Sequence, residues 1–192
     1  MTGNRSGGGR LSGDGAQVRE CFVIMPFGQK EDRGETVDFD AVYARIIKPA
    51  VEILNEEDIF IECLRCDEVQ RAGLIHETMI RHILEAEVAV VDITAQNPNV
   101  FYELGVRHTL RDRVTVLIRR AGTRSPFNIA GMNCIEYDLD GDAAEQARNA
   151  ITGFVRSGLV SSARDSLVHA LIPGLKVSAG LKPIAECRVY TY

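Results

Sequence analysis

Short apolar runs alternate along the chain with longer stretches whose apolar residues recur every three or four positions. The runs resemble strands that are buried on both faces of a parallel sheet. They lie at residues 21–25, 59–61, 88–91, 114–118 and 133–137. The segments with a helical period lie at residues 38–54, 73–87, 97–111 and 142–155. Strand and helix therefore alternate, and each helix is long enough to connect two parallel strands.

This alternation predicts an α/β fold, namely a three-layer parallel-sheet sandwich of the flavodoxin or Rossmann-like type with about five strands. The connections between strands are expected to be right-handed. In open sheets of this kind, ligands bind outside the carboxyl ends of the strands, near the point where the strand order reverses. The residues that directly follow the predicted strands are therefore the first candidates for a functional site.

Local signals mark several helix ends and one connecting segment. Asp38 is a predicted N-cap, because its carboxylate can accept a hydrogen bond from a free amide of the first turn. Pro49 lies inside the same helical segment and predicts a kink or a break there. Asn97 followed by Pro98 is a strong helix start signal. The polar segment 29–37 is expected to form a mobile loop.

Composition divides the chain into three parts. Residues 1–20 carry a large share of the glycines and few large apolar side chains, so we expect a disordered arm. Residues 21–157 form the predicted α/β domain. Residues 158–192 do not continue the alternation; a helix is expected over residues 159–171, and residues 187–192 are expected to form an edge strand or a partner contact. Because this last part has no place in the sheet, we expect a homo-oligomer.

Charge and hydropathy exclude several classes of function. The net charge of −5 argues against polymeric nucleic acid as a ligand, because such binding draws on a basic surface. No apolar run approaches the roughly 20 residues of a membrane-spanning helix, and the N-terminus lacks a secretory signal. Five cysteines without a small-scaffold spacing indicate reduced thiols in a cytoplasmic protein. Cys63 and Cys66 have the CxxC spacing, but we expect ordinary buried or half-buried thiols, because no second pair accompanies them.

Common catalytic motifs are missing from the sequence. No GxGxxG or Walker loop follows the first strand and no GxSxG occurs, which argues against ordinary dinucleotide oxidoreductases, P-loop enzymes and serine hydrolases of that type. The four histidines lack a metal-ligand spacing such as HExxH. We therefore predict neither a metal site nor a cofactor.

The segment with the most candidate chemistry is residues 92–105. Asp92 ends the third strand, where a carboxylate is expected to face the crevice at the sheet edge. Asn99, Glu103 and Arg107 are spaced four residues apart and share one helix face. If that face borders the crevice, Asn99 and Glu103 converge on the same space as Asp92. The alternative is that Glu103 only pairs with Arg107 on an exposed face and that Asp92 only caps local backbone amides.

Four segments of the chain resemble the nucleoside 2-deoxyribosyltransferase-like superfamily, a group that is similar in fold to the Toll/interleukin-1 receptor (TIR) NADase domains. They are residues 22–28, 65–68, 90–94 and 97–105, and the last is the most specific. The branch that this chain resembles contains signalling and defence modules rather than nucleoside-salvage enzymes.

The resemblance implies that Glu103 attacks C1′ of a sugar while an N-glycosidic bond breaks through an oxocarbenium-like state. Asp92 is the second catalytic candidate. Phe27 would stack on the base, Gly28 would allow close approach of the backbone, and Tyr102 would orient Glu103. The full set of expected substrate-binding residues is Met25, Pro26, Phe27, Gly28, Asp67, Asn97, Asn99 and Tyr102.

Two functions are compatible with these residues. The first is a hydrolase or transferase that cleaves the N-glycosidic bond of a nucleoside, nucleotide or NAD-like substrate through Glu103, in signalling or defence. The second is a non-catalytic module that senses a nucleotide or contacts partner proteins on the same fold. In either case the expected ligand is a small nucleoside, nucleotide or NAD-like molecule.

Overall fold

The computed structural model describes residues 18–32, 34–68 and 75–178. The predicted disordered arm falls almost entirely outside these residues, and so does the predicted edge strand at residues 187–192. Among the described residues, no helix is both long enough and apolar enough to cross a membrane.

Five parallel strands form the central sheet, and two more strands form a separate antiparallel hairpin. The strands of the sheet are β1 (Arg19–Ile24), β4 (Ile61–Arg65), β5 (Val88–Asp92), β6 (Thr115–Arg120) and β7 (Cys134–Tyr137). The hairpin consists of β2 (Gln29–Asp32) and β3 (Glu35–Asp38). The order across the sheet is β4-β1-β5-β6-β7. Counted within the sheet this is 2-1-3-4-5, the order of flavodoxin-like folds, so the predicted fold class is confirmed.

Helices cover both faces of the sheet. They are α1 (Phe39–Val42), α2 (Lys48–Glu52), α3 (Ile75–Glu85), α4 (Pro98–Leu110), α5 (Gly141–Val160) and α6 (Leu167–Leu171). A π turn at Tyr43–Ile47 joins α1 to α2, and short 3₁₀ turns lie at Ile53–Glu57, Cys66–Glu68 and Phe127–Ile129. Every strand of the sheet except β6 is thus followed by a covering helix before the next strand of the sheet or the end of the domain, and β6 is followed only by the 3₁₀ turn at Phe127–Ile129.

The core is divided in two by the sheet. On one face, alternate strand residues such as Val23 and Val90 pack with α1, α2 and α5. On the other face, Phe22 and Val91 pack with α3 and α4. Successive side chains of a strand point to opposite faces, so alternate residues of each strand contact the same helical layer.

Pro49 causes the irregularity that its position in a helix predicts. The helix widens to a π turn just before it, and the amide of Lys48 donates to the carbonyl of Tyr43 five residues earlier. Pro49 has no N–H to offer the carbonyl of Arg45, four residues before it. A guanidinium nitrogen of Arg148 in α5 donates to that carbonyl instead, at 3.1 Å. A side chain from another helix therefore replaces the missing helical hydrogen bond.

Two local predictions are wrong. The expected mobile loop at residues 29–37 is the β2–β3 hairpin, whose turn contains Gly34 at a φ of +84°. The expected helix over residues 159–171 is interrupted, because α5 continues to Val160, a non-helical stretch follows, and Ser166 then caps α6. The Ser166 hydroxyl also donates to the carbonyl of His108 at 2.6 Å, which fixes α6 beside α4.

Four of the five cysteines lie in the described residues, and all four are free thiols. Cys21 and Cys63 are buried neighbours on β1 and β4, whereas Cys66 and Cys134 are half-buried. This confirms the prediction for these four; Cys187 lies outside the described residues. Among the described side chains, no group of histidine, cysteine and acidic residues is arranged to hold a metal ion.

Candidate functional site

A cleft of about 540 Å³ opens at the carboxyl ends of β4 and β1, on the side of the sheet that α3 and α4 cover. Its volume lies within the range of small-molecule sites. β1 is the strand at which the order of the sheet reverses, so the cleft lies where open α/β sheets bind ligands. The residues that line it are Phe22, Val23, Met25, Pro26, Phe27, Lys30, Cys66, His76, Met79, Asn97, Asn99, Val100, Tyr102 and Glu103.

The segment after β1 supplies one wall of the cleft. Met25 and Pro26 are buried, whereas the Phe27 ring is 43% exposed. Gly28 follows at a φ of +64°, a conformation that glycine adopts without steric cost. The chain therefore turns away at once after Phe27, and the aromatic ring is left at the edge of the cleft.

The buried guanidinium of Arg65 supports this wall. It lies 5.2 Å from the centre of the Phe27 ring and 4.8 Å from that of Tyr43. Two of its nitrogens donate to the carboxylate oxygens of Asp67 at 2.7 Å, and the third donates to Asp40 at 2.8 Å. Paired hydrogen bonds of this kind are stronger and more directional than single neutral ones. Arg65 thereby helps to hold the ring of Phe27 in place.

The first turns of α4 supply the opposite wall. The side chain of Asn97 accepts a hydrogen bond from the amide of Asn99 at 2.8 Å, so the predicted cap and helix start are confirmed. Asn99 and Glu103 are one helical turn apart and therefore lie on the same face. Tyr102 stands next to them with an exposed ring. Amide, phenol and carboxyl groups thus all face one cleft.

Glu103 is the only carboxylic acid among the described residues that line the cleft. Burial raises the pKa of its carboxyl group to about 7. Burial raises the pKa of the nearby Cys66 thiol as well, and the charge of Glu103 adds to that shift. No ion pair to Glu103 occurs within the described part of the chain. A carboxyl group with a strongly raised pKa in a cleft is a recognised mark of a functional site.

Arg107 does not neutralise Glu103. It is fully buried, and its guanidinium donates to the carbonyls of Ile83 at 3.0 Å, Ala86 at 2.7 Å and Val114 at 3.1 Å. The exposed Glu103–Arg107 pair that the sequence left open is therefore not formed. Arg107 instead joins the end of α3 to the loop before β6.

Asp92 lies apart from the cleft. It is 1% exposed, and its side chain accepts hydrogen bonds from the Thr94 amide at 2.9 Å, the Thr94 hydroxyl at 2.6 Å and the Tyr137 hydroxyl at 2.7 Å. Tyr137 belongs to the core under α1, α2 and α5. Asp92 lies on the same side of β5 as Val88 and Val90, because alternate residues of a strand point to the same face. Those two valines face this core, so the side chain of Asp92 points to the face of the sheet opposite α4. Burial raises the pKa of its carboxyl group to about 6.

The structure brings seven of the ten predicted site residues together. Those that line the cleft are Met25, Pro26, Phe27, Asn97, Asn99, Tyr102 and Glu103. The other three, Gly28, Asp67 and Asp92, do not line it. The amide of Gly28 donates to Asp40 at 3.2 Å, and Asp67 is held by Arg65. Gly28 and Asp92 depend on contacts with other elements, namely Asp40 and Tyr137, whereas Asp67 is turned to its near neighbour Arg65.

Several residues of the cleft are not predicted by the sequence pattern. The main ones are Lys30 on β2, Cys66 after β4, and His76 and Met79 on α3. Cys66 follows directly after a strand, and that position was a usable signal. Lys30 and His76 had no such signal, because the hairpin that carries Lys30 was expected to be a loop and His76 lies within α3 rather than at a strand end.

Comparisons with known proteins show likeness in fold only. No family model and no curated protein matches the chain. A flavodoxin-like domain from Synechococcus sp is 12% identical with a TM-score of 0.41, and the match covers 71% of this chain and 95% of that one. A diflavin flavoprotein A3 from Nostoc sp. is 8% identical with a TM-score of 0.43, covering 72% of this chain and 91% of that one.

The expected membership of the nucleoside 2-deoxyribosyltransferase-like superfamily, with its relation to TIR domains, is wrong, because the structural neighbours are flavodoxin-like domains. The segments that suggested it have general roles in this fold. Residues 22–24 and 90–92 are buried strand, and residues 97–99 cap a helix. Short segments of this kind recur wherever a buried strand is followed by a capped helix.

Proposed function

We propose that this protein cleaves the N-glycosidic bond of a nucleoside, nucleotide or NAD-like substrate, with Glu103 as the nucleophile. The observation that carries the proposal is the Glu103 carboxyl group, which burial holds at a pKa of about 7 in a cleft at the reversal point of the sheet. No relative supports this proposal; it stands on the composition and geometry of the cleft.

The walls of the cleft suit a base and a sugar. The exposed Phe27 ring offers a face on which a base can stack, and its position is fixed by Arg65. Asn97 and Asn99 carry amides that can donate to and accept from sugar hydroxyls. Tyr102 adds a phenol beside Glu103. An aromatic wall and polar groups on opposite sides are common in pockets for small ligands.

The chemistry uses groups that are present in the cleft. An ionised Glu103 oxygen attacks the anomeric carbon as the C–N bond breaks, and the electron pair of that bond leaves with the base. In this scheme the imidazole of His76, which lines the cleft, protonates the departing base. Water then attacks the anomeric carbon of the glycosyl ester and gives its proton to His76, which releases the sugar and frees the Glu103 carboxylate; an incoming base in place of water gives transfer instead.

One observation favours a different function, that of a non-catalytic binding module. Glycosidases usually employ two carboxyl groups, one on each side of the bond that breaks. Among the described residues, only Glu103 places a carboxyl group in the cleft, and Asp92 lies on the opposite face of the sheet. The same aromatic and amide groups would then bind a nucleotide without cleaving it.

Base release separates the two functions. The full chain is incubated with NAD, nucleosides and nucleoside monophosphates, and the free base is measured by liquid chromatography. We expect release by the unchanged protein and a loss of at least about 100-fold in Glu103→Gln, which keeps the shape of the side chain but cannot attack. Glu145→Gln is the matched control, because Glu145 is an exposed glutamate on α5.

Two results would contradict the enzymatic proposal. Release that persists in Glu103→Gln removes the assigned role from Glu103. An absence of release with every substrate, together with an increase in the unfolding temperature when one of them is added, shows the binding module.

A further inference from the structure

A second cavity, of about 470 Å³, lies at the other end of the sheet. Arg19 at the start of β1 and Val114 just before β6 line it, so it opens at the amino ends of the strands. The remaining walls come from the end of α4, the end of α5 and the chain after α6. It shares no lining residue with the Glu103 cleft.

Basic side chains are prominent in this cavity. Arg19, Arg111 and Arg113 line it together with the imidazole of His169, whereas Glu87 and Asp112 are its acidic residues. A cavity with more guanidinium than carboxylate groups attracts anions.

The acidic groups of the cavity already have partners. The carboxylate of Glu87 accepts the backbone amide of Glu20 at 3.0 Å. The carboxylate of Asp112 lies 3.9 Å from the guanidinium of Arg164, which is outside the cavity lining. Neither of them is paired with Arg19 or Arg111.

Two of the three arginines retain unused donors. Arg113 donates to the carbonyl of Ser161. Arg111 makes one long contact, 3.4 Å from the carbonyl of Leu84. The guanidinium of Arg19 has no hydrogen-bond or ion-pair partner among the described residues. Arg19 and Arg111 can therefore offer paired N–H donors to an oxyanion, the group that a guanidinium fits best.

The wall of the cavity is fixed in place. Val114 adopts a φ of +53°, a conformation that is unusual for a β-branched residue. Arg107 holds it there by donating to its carbonyl. Gly158 packs against it so closely that an added Cβ would lie 3.0 Å from a methyl group of Val114. The cavity is thus formed before any ligand arrives, which lowers the entropic cost of binding.

We propose that this cavity binds a small organic oxyanion, with the phosphate or carboxylate head on Arg19 and Arg111 and an apolar part against the aliphatic walls. Those walls are supplied by Leu110, Leu159 and Val177. The proposal is independent of the reaction assigned to Glu103.

Titration calorimetry of the full chain at low salt tests this site, with phenyl phosphate, inorganic phosphate and benzoate as probes. We expect phenyl phosphate to bind more tightly than inorganic phosphate, because its ring buries apolar surface. Comparison with benzoate shows whether phosphate or carboxylate is the preferred head. Affinity should fall as salt is added.

Variants locate the binding. Arg19→Gln and Arg111→Gln should each lower the affinity for phenyl phosphate about tenfold, because each removes charge-assisted hydrogen bonds. Arg124→Gln is the matched control, since Arg124 is exposed and lies outside the cavity lining. Val177→Glu keeps both arginines and places a carboxylate in the cavity, so it should weaken binding even if an arginine variant fails to fold. No binding of any probe, or equal binding by the protein with and without these substitutions, overturns the proposal.

Discussion

The guanidinium of Arg65 lies 5.2 Å from the centre of the Phe27 ring and does not itself line the cleft. Phe27 lies three residues after the end of β1, and Arg65 is the last residue of β4. The two strands are neighbours in the sheet, so the contact ties together the loops that leave them. The exposed aromatic wall of the cleft therefore depends on a buried cation from the adjacent strand.

Replacement of Arg65 by methionine should lower the free energy of unfolding by about 1–3 kcal/mol. The substitution removes three hydrogen bonds, but the carboxylates of Asp40 and Asp67 are exposed enough to regain water. Urea denaturation measures the change. Arg156→Met is the matched control: Arg156 pairs with Glu57 on the surface, so its loss should cost clearly less than the loss of Arg65. Equal losses in the two variants would contradict a special role for Arg65.

Glu103 should make the stability of the protein depend on pH. Burial raises the pKa of its carboxyl from an ordinary value of 4.5 to about 7, so between these values the folded protein holds more protons than the unfolded chain. Stability therefore falls as the pH rises through this window. Glu103→Gln should be more stable than the unchanged protein by about 1–2 kcal/mol at pH 8, after allowance for partial solvent exposure, and equally stable near pH 4.

Denaturation at several pH values measures this difference. Glu145→Gln is again the control, and its stability should follow that of the unchanged protein throughout. A constant difference between Glu103→Gln and the unchanged protein from pH 4 to pH 8 would show that the carboxyl group is not perturbed.

Phe27→Ala should weaken the binding of nucleosides or nucleotides about tenfold, because base–aromatic stacking is worth about 1–3 kcal/mol. Phe127→Ala is the matched control, since that ring is 94% exposed and lies outside the cleft. Equilibrium dialysis or calorimetry with the substrate found by base release gives the affinities. Equal affinity in the two variants would show that the base does not lie on Phe27.

Arg107→Met should destabilise the fold by more than about 3 kcal/mol, because it leaves several buried carbonyls without a donor. The carbonyls of Ile83 and Ala86 are affected most, whereas that of Val114 still accepts the amide of Ala89 at 2.8 Å. Arg107→Lys should recover only part of the loss, since an ammonium group cannot reproduce the planar fork of donors. Thermal unfolding tests both variants, and a loss below about 1 kcal/mol in Arg107→Met would refute the role.

The sequence predicts the parallel sheet well because buried strands and amphipathic helices leave regular apolar patterns. The β2–β3 hairpin is not predicted in this way, because its residues are largely polar and exposed. Its two strands pair through backbone hydrogen bonds on either side of the turn at Gly34. A segment without an apolar pattern has no periodicity to detect.

The candidate site was predictable where it depends on nearby residues and not where it depends on the pairing of distant ones. Asn97, Asn99 and Glu103 lie within two turns of one helix, and their shared direction follows from spacing. Asp92 also lies at the expected strand end, but its face is decided by the helices that pack there. The same holds for Arg107, which lies four residues beyond Glu103 yet bonds to backbone from other elements.

The hydrogen bond between Arg148 and the carbonyl of Arg45 joins residues 103 positions apart. Thr152 strengthens the same junction by donating to the carbonyl of Ala50 at 2.6 Å. These two hydrogen bonds join the helical segment around Pro49 to α5, and the one to the carbonyl of Ala50 is buried. The early and late parts of the chain should therefore open together, and amide hydrogens in α2 and α5 should exchange with solvent as one cooperative unit.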